Sequence, residues 1–211
     1  MQQNPMPKPP QLPARYSWAE VWTAVLTKPR LDTFIEVLND PQATLRRALL
    51  WVYLGGLALS AVTLYQMVNN PLLQESINSS PEFSGVDVQA ALNGTLIMGV
   101  PIASALALLF FMALIYAMHW IALQLSKDKS KTQSYSKLAY LIGAIYAPLS
   151  IISIVFLLIP LLGYFSIFLT VYQLYLMVLA VRAVYGLDVR NGMVSVLAPM
   201  FAFLLLFLFM L

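Results

Sequence analysis

Charged positions along this chain are gathered into short segments, and the stretches between them are as long as membrane crossings. An α-helix needs about 20 predominantly apolar residues to cross a hydrocarbon core. Arg47 to Met67 meets that length, with Trp51 and Tyr65 near its two ends. A second apolar run extends from Thr95 to Leu125 and is interrupted by Pro101. Leu138 to Val181 then carries no charge over twice the length of one crossing, with Pro160 and Gly163 near its middle. Proline cannot continue a helix ladder and glycine tolerates a reversal, so the chain is predicted to turn near Ile159 to Gly163. Met193 to Leu211 supplies the last run. The pattern predicts an all-α, polytopic membrane helical bundle with five transmembrane helices, near 47–67, 95–125, 138–158, 161–182 and 193–211.

Ahead of the first span the periodicity changes twice. Residues 1–16 are rich in proline, lack an apolar targeting core, and read as a disordered cytoplasmic tail. In "SWAE", Ser17 and Glu20 have the spacing of a capping box, so a helix should start there. Trp18, Val21, Trp22, Val25 and Leu26 share one face of it, and Pro29 ends it. Leu31, Phe34, Ile35 and Leu38 repeat the pattern, after which Asp40 is placed to cap a helix beginning at Pro41. Residues 17–45 are thus expected to form an N-terminal amphipathic segment. It either lies in the cytoplasmic membrane interface or packs on the inner ends of the spans. The remainder, 46–211, is the five-span domain.

Composition agrees with lipid as the solvent. Of 211 residues, 60% are hydrophobic and 10% charged, with a mean hydropathy of +0.77; a soluble domain carries roughly 25% charge. All twelve basic residues fall on one side of the predicted topology: Lys8 to Arg47 before the first span, Lys127, Lys129, Lys131 and Lys137 after the second, Arg182 and Arg190 after the fourth. The loop from Val68 to Asn93 carries Glu75, Glu82 and Asp87 and no Lys or Arg. By the positive-inside rule the N-terminus is cytoplasmic and the C-terminus outside, which requires an odd number of crossings. Trp18, Trp22, Trp51 and Trp120 are candidate membrane-interface anchors. The small net charge of +3 gives no reason to expect a nucleic-acid partner.

Several sequence elements together resemble the Yip family of five-span membrane proteins. These are "VWTAVLTKPRLDTFIEVL" before the first span, "YLIGAIYAPLSIISIVFLLIPLLG", and "YLMVLAVRAVYGLDVRNG" before the last span. Eukaryotic members of that family interact with Rab GTPases and carry a "DLYGP"-type motif, which this chain lacks; it is more similar to the bacterial branch. The resemblance implies a bacterial cytoplasmic membrane protein, with a eukaryotic endoplasmic-reticulum or Golgi membrane as the alternative. It also implies a scaffold or accessory subunit that meets other membrane proteins as a hetero-complex or homo-oligomer.

Candidate chemistry is sparse. With no cysteine and one histidine, His119, thiolate chemistry is excluded and a histidine-built metal site has no basis. No Asp, Glu, Lys or Arg falls inside a predicted hydrocarbon core, which removes the usual markers of proton relays and ion-coupled transport. No catalytic residue and no cofactor are expected. Gln173, with Thr170 one turn before it, lies mid-span; antiparallel pairing of spans three and four brings it level with Ser150 and the Pro148 kink, where it should bond across helices. A small transporter or lipid-handling protein, with a cavity near Pro101 and Pro148, is the alternative function. Lys127, Lys129, Lys131 and Lys137 are candidate contacts for anionic lipid.

Overall fold

A computed structural model describes residues 16–80, 88–126 and 134–210. The proline-rich tail and Lys127, Lys129 and Lys131 lie outside the described residues. Those that are described fold into nine helices and no strands. Five of the helices are long and apolar enough to cross a membrane: Leu45–Val68, Ala90–Leu125, Tyr135–Leu158, Leu161–Tyr185 and Val189–Leu206. They belong to α3 (Leu45–Val68), α5 (Val88–Leu125), α6 (Ser134–Leu158), α8 (Ser166–Tyr185) with the short turn before it, and α9 (Val189–Met210). The 38 residues of α5 would extend about 57 Å, so this helix continues well past the hydrocarbon.

At the centre stands α6, buried at almost every position from Leu138 to Leu149. It runs parallel to α3, since the matched positions rise together. Gly143 lies against Ala48, Gly55 against Ala147 and Ser150, and the Gln66 amide donates to the Leu157 carbonyl at 2.9 Å. A Cβ on Gly143 would stand 3.2 Å from Ala48 backbone atoms, so the two helices approach as closely as small residues allow. Gly56 faces Ser104 of α5 on the other side. Lipid-facing surface is concentrated on α5, α8 and α9, where Leu106, Phe168, Val171 and Phe201 are exposed.

The reversal between α6 and α8 falls where expected, but by a different device. Ile159 is extended and Pro160 opens a single turn, α7 (Pro160–Gly163). Gly163 keeps a negative φ; the one left-handed residue among those described is Gly186 at φ 66°, closing α8. The loop after the first span also holds a short helix, α4 (Pro71–Ser79), with Asn70 accepting from the Leu72 amide and Pro71 at its first position.

The expected capping box is present at α1 (Trp18–Thr27). The Ser17 amide donates to Glu20 at 2.7 Å and the Glu20 amide to Ser17 Oγ at 3.3 Å. These bonds from Ser17 hold the Glu20 carboxyl below its ordinary value. The second helix, α2 (Leu31–Leu38), begins at Arg30. Asp40 does not cap a helix starting at Pro41. It accepts from the Gln42 amide at 2.9 Å in a turn, and Thr44 caps α3 instead, accepting from Arg47 at 3.3 Å. The free Asp40 oxygen is used elsewhere.

Candidate functional site

The most polar structure in this apolar bundle is a clamp around Arg47. Its Nη1 donates to Asp40 Oδ2 at 3.0 Å, and the Tyr140 hydroxyl donates to the same oxygen at 3.1 Å. Arg47 Nη2 donates to the Tyr16 carbonyl at 2.8 Å. The Asp40 side chain is fully buried and Arg47 is 8% exposed. Aromatic rings complete the enclosure: the guanidinium stands 4.9 Å from the Trp51 ring centre and 5.9 Å from that of Tyr140. Cation–π attraction and a shared carboxylate offset part of the cost of taking the charge out of water.

This clamp ties down both ends of one hairpin. Tyr16 precedes α1 and Asp40 follows α2, so the chain leaves Arg47, makes α1 and α2, and returns to Arg47. Tyr16 adds a second fastening, its hydroxyl donating to Glu36 of α2 at 2.7 Å; that carboxylate pushes the Tyr16 hydroxyl above its ordinary value. Val21, Val25, Phe34 and Val37 are buried, and the hairpin packs on α6 and α8.

The tip of the hairpin is held by α8. The Tyr172 hydroxyl donates to the Leu26 carbonyl, and the Tyr175 hydroxyl to the Pro29 carbonyl at 3.3 Å. Carbonyls at a helix C-terminus have no partner within the helix, and in lipid they need one. Tyr175 and Tyr172 precede Arg182, the one charged residue of α8, by seven and ten residues, which is about 10 and 15 Å along a helix. Helical side chains lean towards the N-terminus of their own helix, here away from Arg182, so the hydroxyls are no shallower than that. Half the hydrocarbon thickness is about 15 Å. The tip of the hairpin is therefore fastened about 10 to 15 Å along α8 from Arg182. Its apolar stripe packs on α6 and α8.

The four tryptophans separate. Trp51 has no exposed surface and packs with Trp18, Trp22 and Tyr140 at 5.1 to 5.9 Å between ring centres; it is withheld from lipid. Trp18 is 38% exposed and Trp22 half-buried beside it, at the root of the hairpin. Trp120 is exposed next to His119, whose Nδ1 shares a hydrogen bond with the Tyr185 hydroxyl at 2.6 Å, near the end of α8. Gln173, Ser150 and Thr170 are not joined. Ser150 donates to Tyr146 at 2.9 Å and Thr170 to Ser166 at 3.0 Å, each within its own helix. Gln173 is partly buried and bonds to no described residue. The interhelical amide bond is made instead by Gln66, which sequence reasoning passed over although it ends the first span one turn inside the polar loop. Lys137 is half-buried at the start of α6.

Next to Pro148, Ala147 packs closely on Gly55, and Ser104, three residues after Pro101, faces Gly56. A partly open pocket lies between α5, α8 and α9. It is an apolar cavity of about 470 Å³ lined by Phe110, Leu174, Met200 and Phe203 among others. Among the described residues no group of three or more His, Asp or Glu could hold a metal.

Five apolar crossings around a buried clamp, with an amphipathic hairpin at one end, define a polytopic helical membrane protein. The chain belongs to the Yip family: the Yip1 domain matches residues 23–211, which covers α2 to α9 and the second half of α1. No curated protein and no solved structure matches it.

Proposed function

We propose that this Yip-family protein is a non-enzymatic scaffold or accessory subunit. Its bundle holds the α1–α2 hairpin in a fixed pose for other membrane proteins or proteins at the cytoplasmic face. The observation that carries this reading is the three-point attachment of the hairpin, at Tyr16 and Asp40 by Arg47 and at its tip by Tyr172 and Tyr175. An amphipathic element serving only as a loose surface anchor has no need of a buried ion pair. The outward side of the hairpin keeps Trp18 and Ile35 exposed at 38% and 43%, which leaves apolar surface for a partner. The filled interior around Gly55 and Ala147 favours this role over transport. On the distribution of basic residues, the N-terminus faces the cytoplasm and the C-terminus the outside, in a bacterial cytoplasmic membrane.

Crosslinking in native membranes, with mass spectrometry of what is captured, tests the proposal. Photo-crosslinkers at Trp18 and Ile35 should trap discrete protein partners, and Ile35→Asp should reduce the yield. Capture of lipid alone at both positions, with no protein adduct above background, would remove the scaffold role.

A further inference from the structure

Arg190 is the one charged residue of α9 and stands second in it. Charge is costly in hydrocarbon, so this residue marks the level at which α9 enters the membrane. It is exposed and pairs with no carboxylate among the described residues, where the one ion pair is Arg47–Asp40. Asp188 lies two positions back, but its Oδ1 accepts from the Asn191 amide at 3.0 Å, and residues two apart do not face each other on a helix. Arg182, near the end of α8, is turned the other way. Its Nε donates to the Leu187 carbonyl at 3.3 Å and its stem lies against Gly192, on the opposite side of α9 from Arg190.

An apolar groove begins at this cation. It has a volume of about 510 Å³ and is lined by Val189, Arg190 itself, Met193, Val194, Leu197 and Ala198. Leu197 also lines the pocket of about 470 Å³ between α5, α8 and α9, where Phe201 and Leu204 continue the same side of the helix. Arg190, Val194, Leu197, Phe201 and Leu204 follow one another at alternating steps of four and three positions, which keeps them on one face. From Arg190 to Leu204 that face is about 21 Å long, and half a bilayer counted with its headgroups is also about 21 Å. A cation at interface level, heading an apolar slot that passes between three helices within one leaflet, has the charge and reach of a phospholipid site.

We infer that Arg190 holds the phosphate of an anionic phospholipid of the leaflet in which α9 begins, with one acyl chain laid along residues 194–204 and into the pocket lined by Phe110, Leu174 and Met200. The chain fills surface that the contacts of α9 with α5 and α8 leave open, and so seals the last span onto the bundle. The site uses neither the hairpin nor a protein partner, so it stands or falls apart from the scaffold role.

The test uses the full chain in nanodiscs of phosphatidylcholine with a minority of phosphatidylglycerol, released into native mass spectrometry. The wild type should retain phosphatidylglycerol selectively, and Arg190→Ala should lower that retention roughly fivefold, as expected for one interfacial cation. Arg46→Ala removes an exposed charge elsewhere on the same side of the membrane and should leave retention unchanged. Ala198→Phe keeps the cation and fills the groove, so it too should lower retention. Phosphatidylglycerol with a photoreactive group in its acyl chain should label Leu197, Phe201 or Leu204 in preference to other lipid-facing residues. Helix content and melting temperature of each variant confirm that it folds; should either site variant not fold, Arg190→Gln or Ala198→Leu replaces it. Equal retention of the two lipids by the wild type, equal losses on Arg190→Ala and Arg46→Ala, or full retention by the groove-filled variant would each overturn the assignment. So would labelling spread evenly over the exposed residues of α5, α8 and α9, since the chain would then have no fixed place.

Discussion

Arg46 and Arg47 are neighbours in sequence with opposite surroundings: Arg46 is exposed and Arg47 is buried against Asp40, Tyr140 and Trp51. Successive helical residues point about 100° apart, so one faces water and the other the bundle. Arg47→Ala would leave the Asp40 carboxylate buried without its partner, a loss of about 3–5 kcal/mol. Thermal unfolding in detergent should register this as a large fall in melting temperature, with part recovered by also replacing Asp40 with Leu. A melting point unchanged by Arg47→Ala would mean that the clamp is not what fastens the hairpin. Gly143 is the second sensitive position. Its missing Cβ would stand 3.2 Å from Ala48 Cα, Cβ and O, whereas a Cβ at Gly163 meets nothing within 4 Å. Gly143→Ala should cost about 1–3 kcal/mol as overpacking. Gly163→Ala should be neutral or mildly stabilising; equal melting points for the two variants would contradict the close packing of α3 on α6.

At the scale of elements, the hairpin shows how local signals and tertiary placement combine. The capping box, the apolar stripe and the Pro29 break were all legible, because each depends on residues within one or two turns of each other. Its depth was not. It is set by hydroxyls of Tyr172 and Tyr175, some 146 residues away in sequence, meeting carbonyls of Leu26 and Pro29. Replacing both tyrosines by phenylalanine keeps the rings and removes the donors, at roughly 1 kcal/mol for each hydroxyl. Deuterium uptake over α1 and α2 should then quicken by about fivefold for each hydroxyl lost while α3 is unaffected. Unaltered uptake would show that the apolar stripe alone sets the position of the hairpin. Asp40 illustrates the converse error. Its place before a proline suggested a helix cap, but a buried arginine seven residues on competes for the same carboxylate, and the charge-assisted bond is the stronger one.

For the molecule as a whole, five crossings imply chain ends on opposite sides of the membrane, and the basic residues imply which side is which. The chain has no cysteine, so single cysteines can be added without background. One placed ahead of Met1 should react with a membrane-impermeant maleimide only after the cells are opened, and one appended after Leu211 should react in intact cells. Reaction of both in the same condition would rule out an odd number of crossings.

The sequence by itself determined the fold class, the positions of the crossings and the reversal near Pro160, because the cost of placing a charge or an open backbone group in hydrocarbon is paid residue by residue. It also determined the family, through the order and spacing of motifs along the chain. Only the tertiary structure decided that Arg47 turns inward, that Trp51 is fully buried, that Gln66 rather than Gln173 bridges two helices, and that the amphipathic pair is fastened to Tyr172 and Tyr175. Each of these depends on which helix lies beside which. In a bundle of uniformly apolar helices that choice is made by close fit and by a few hydrogen bonds between segments far apart in the chain.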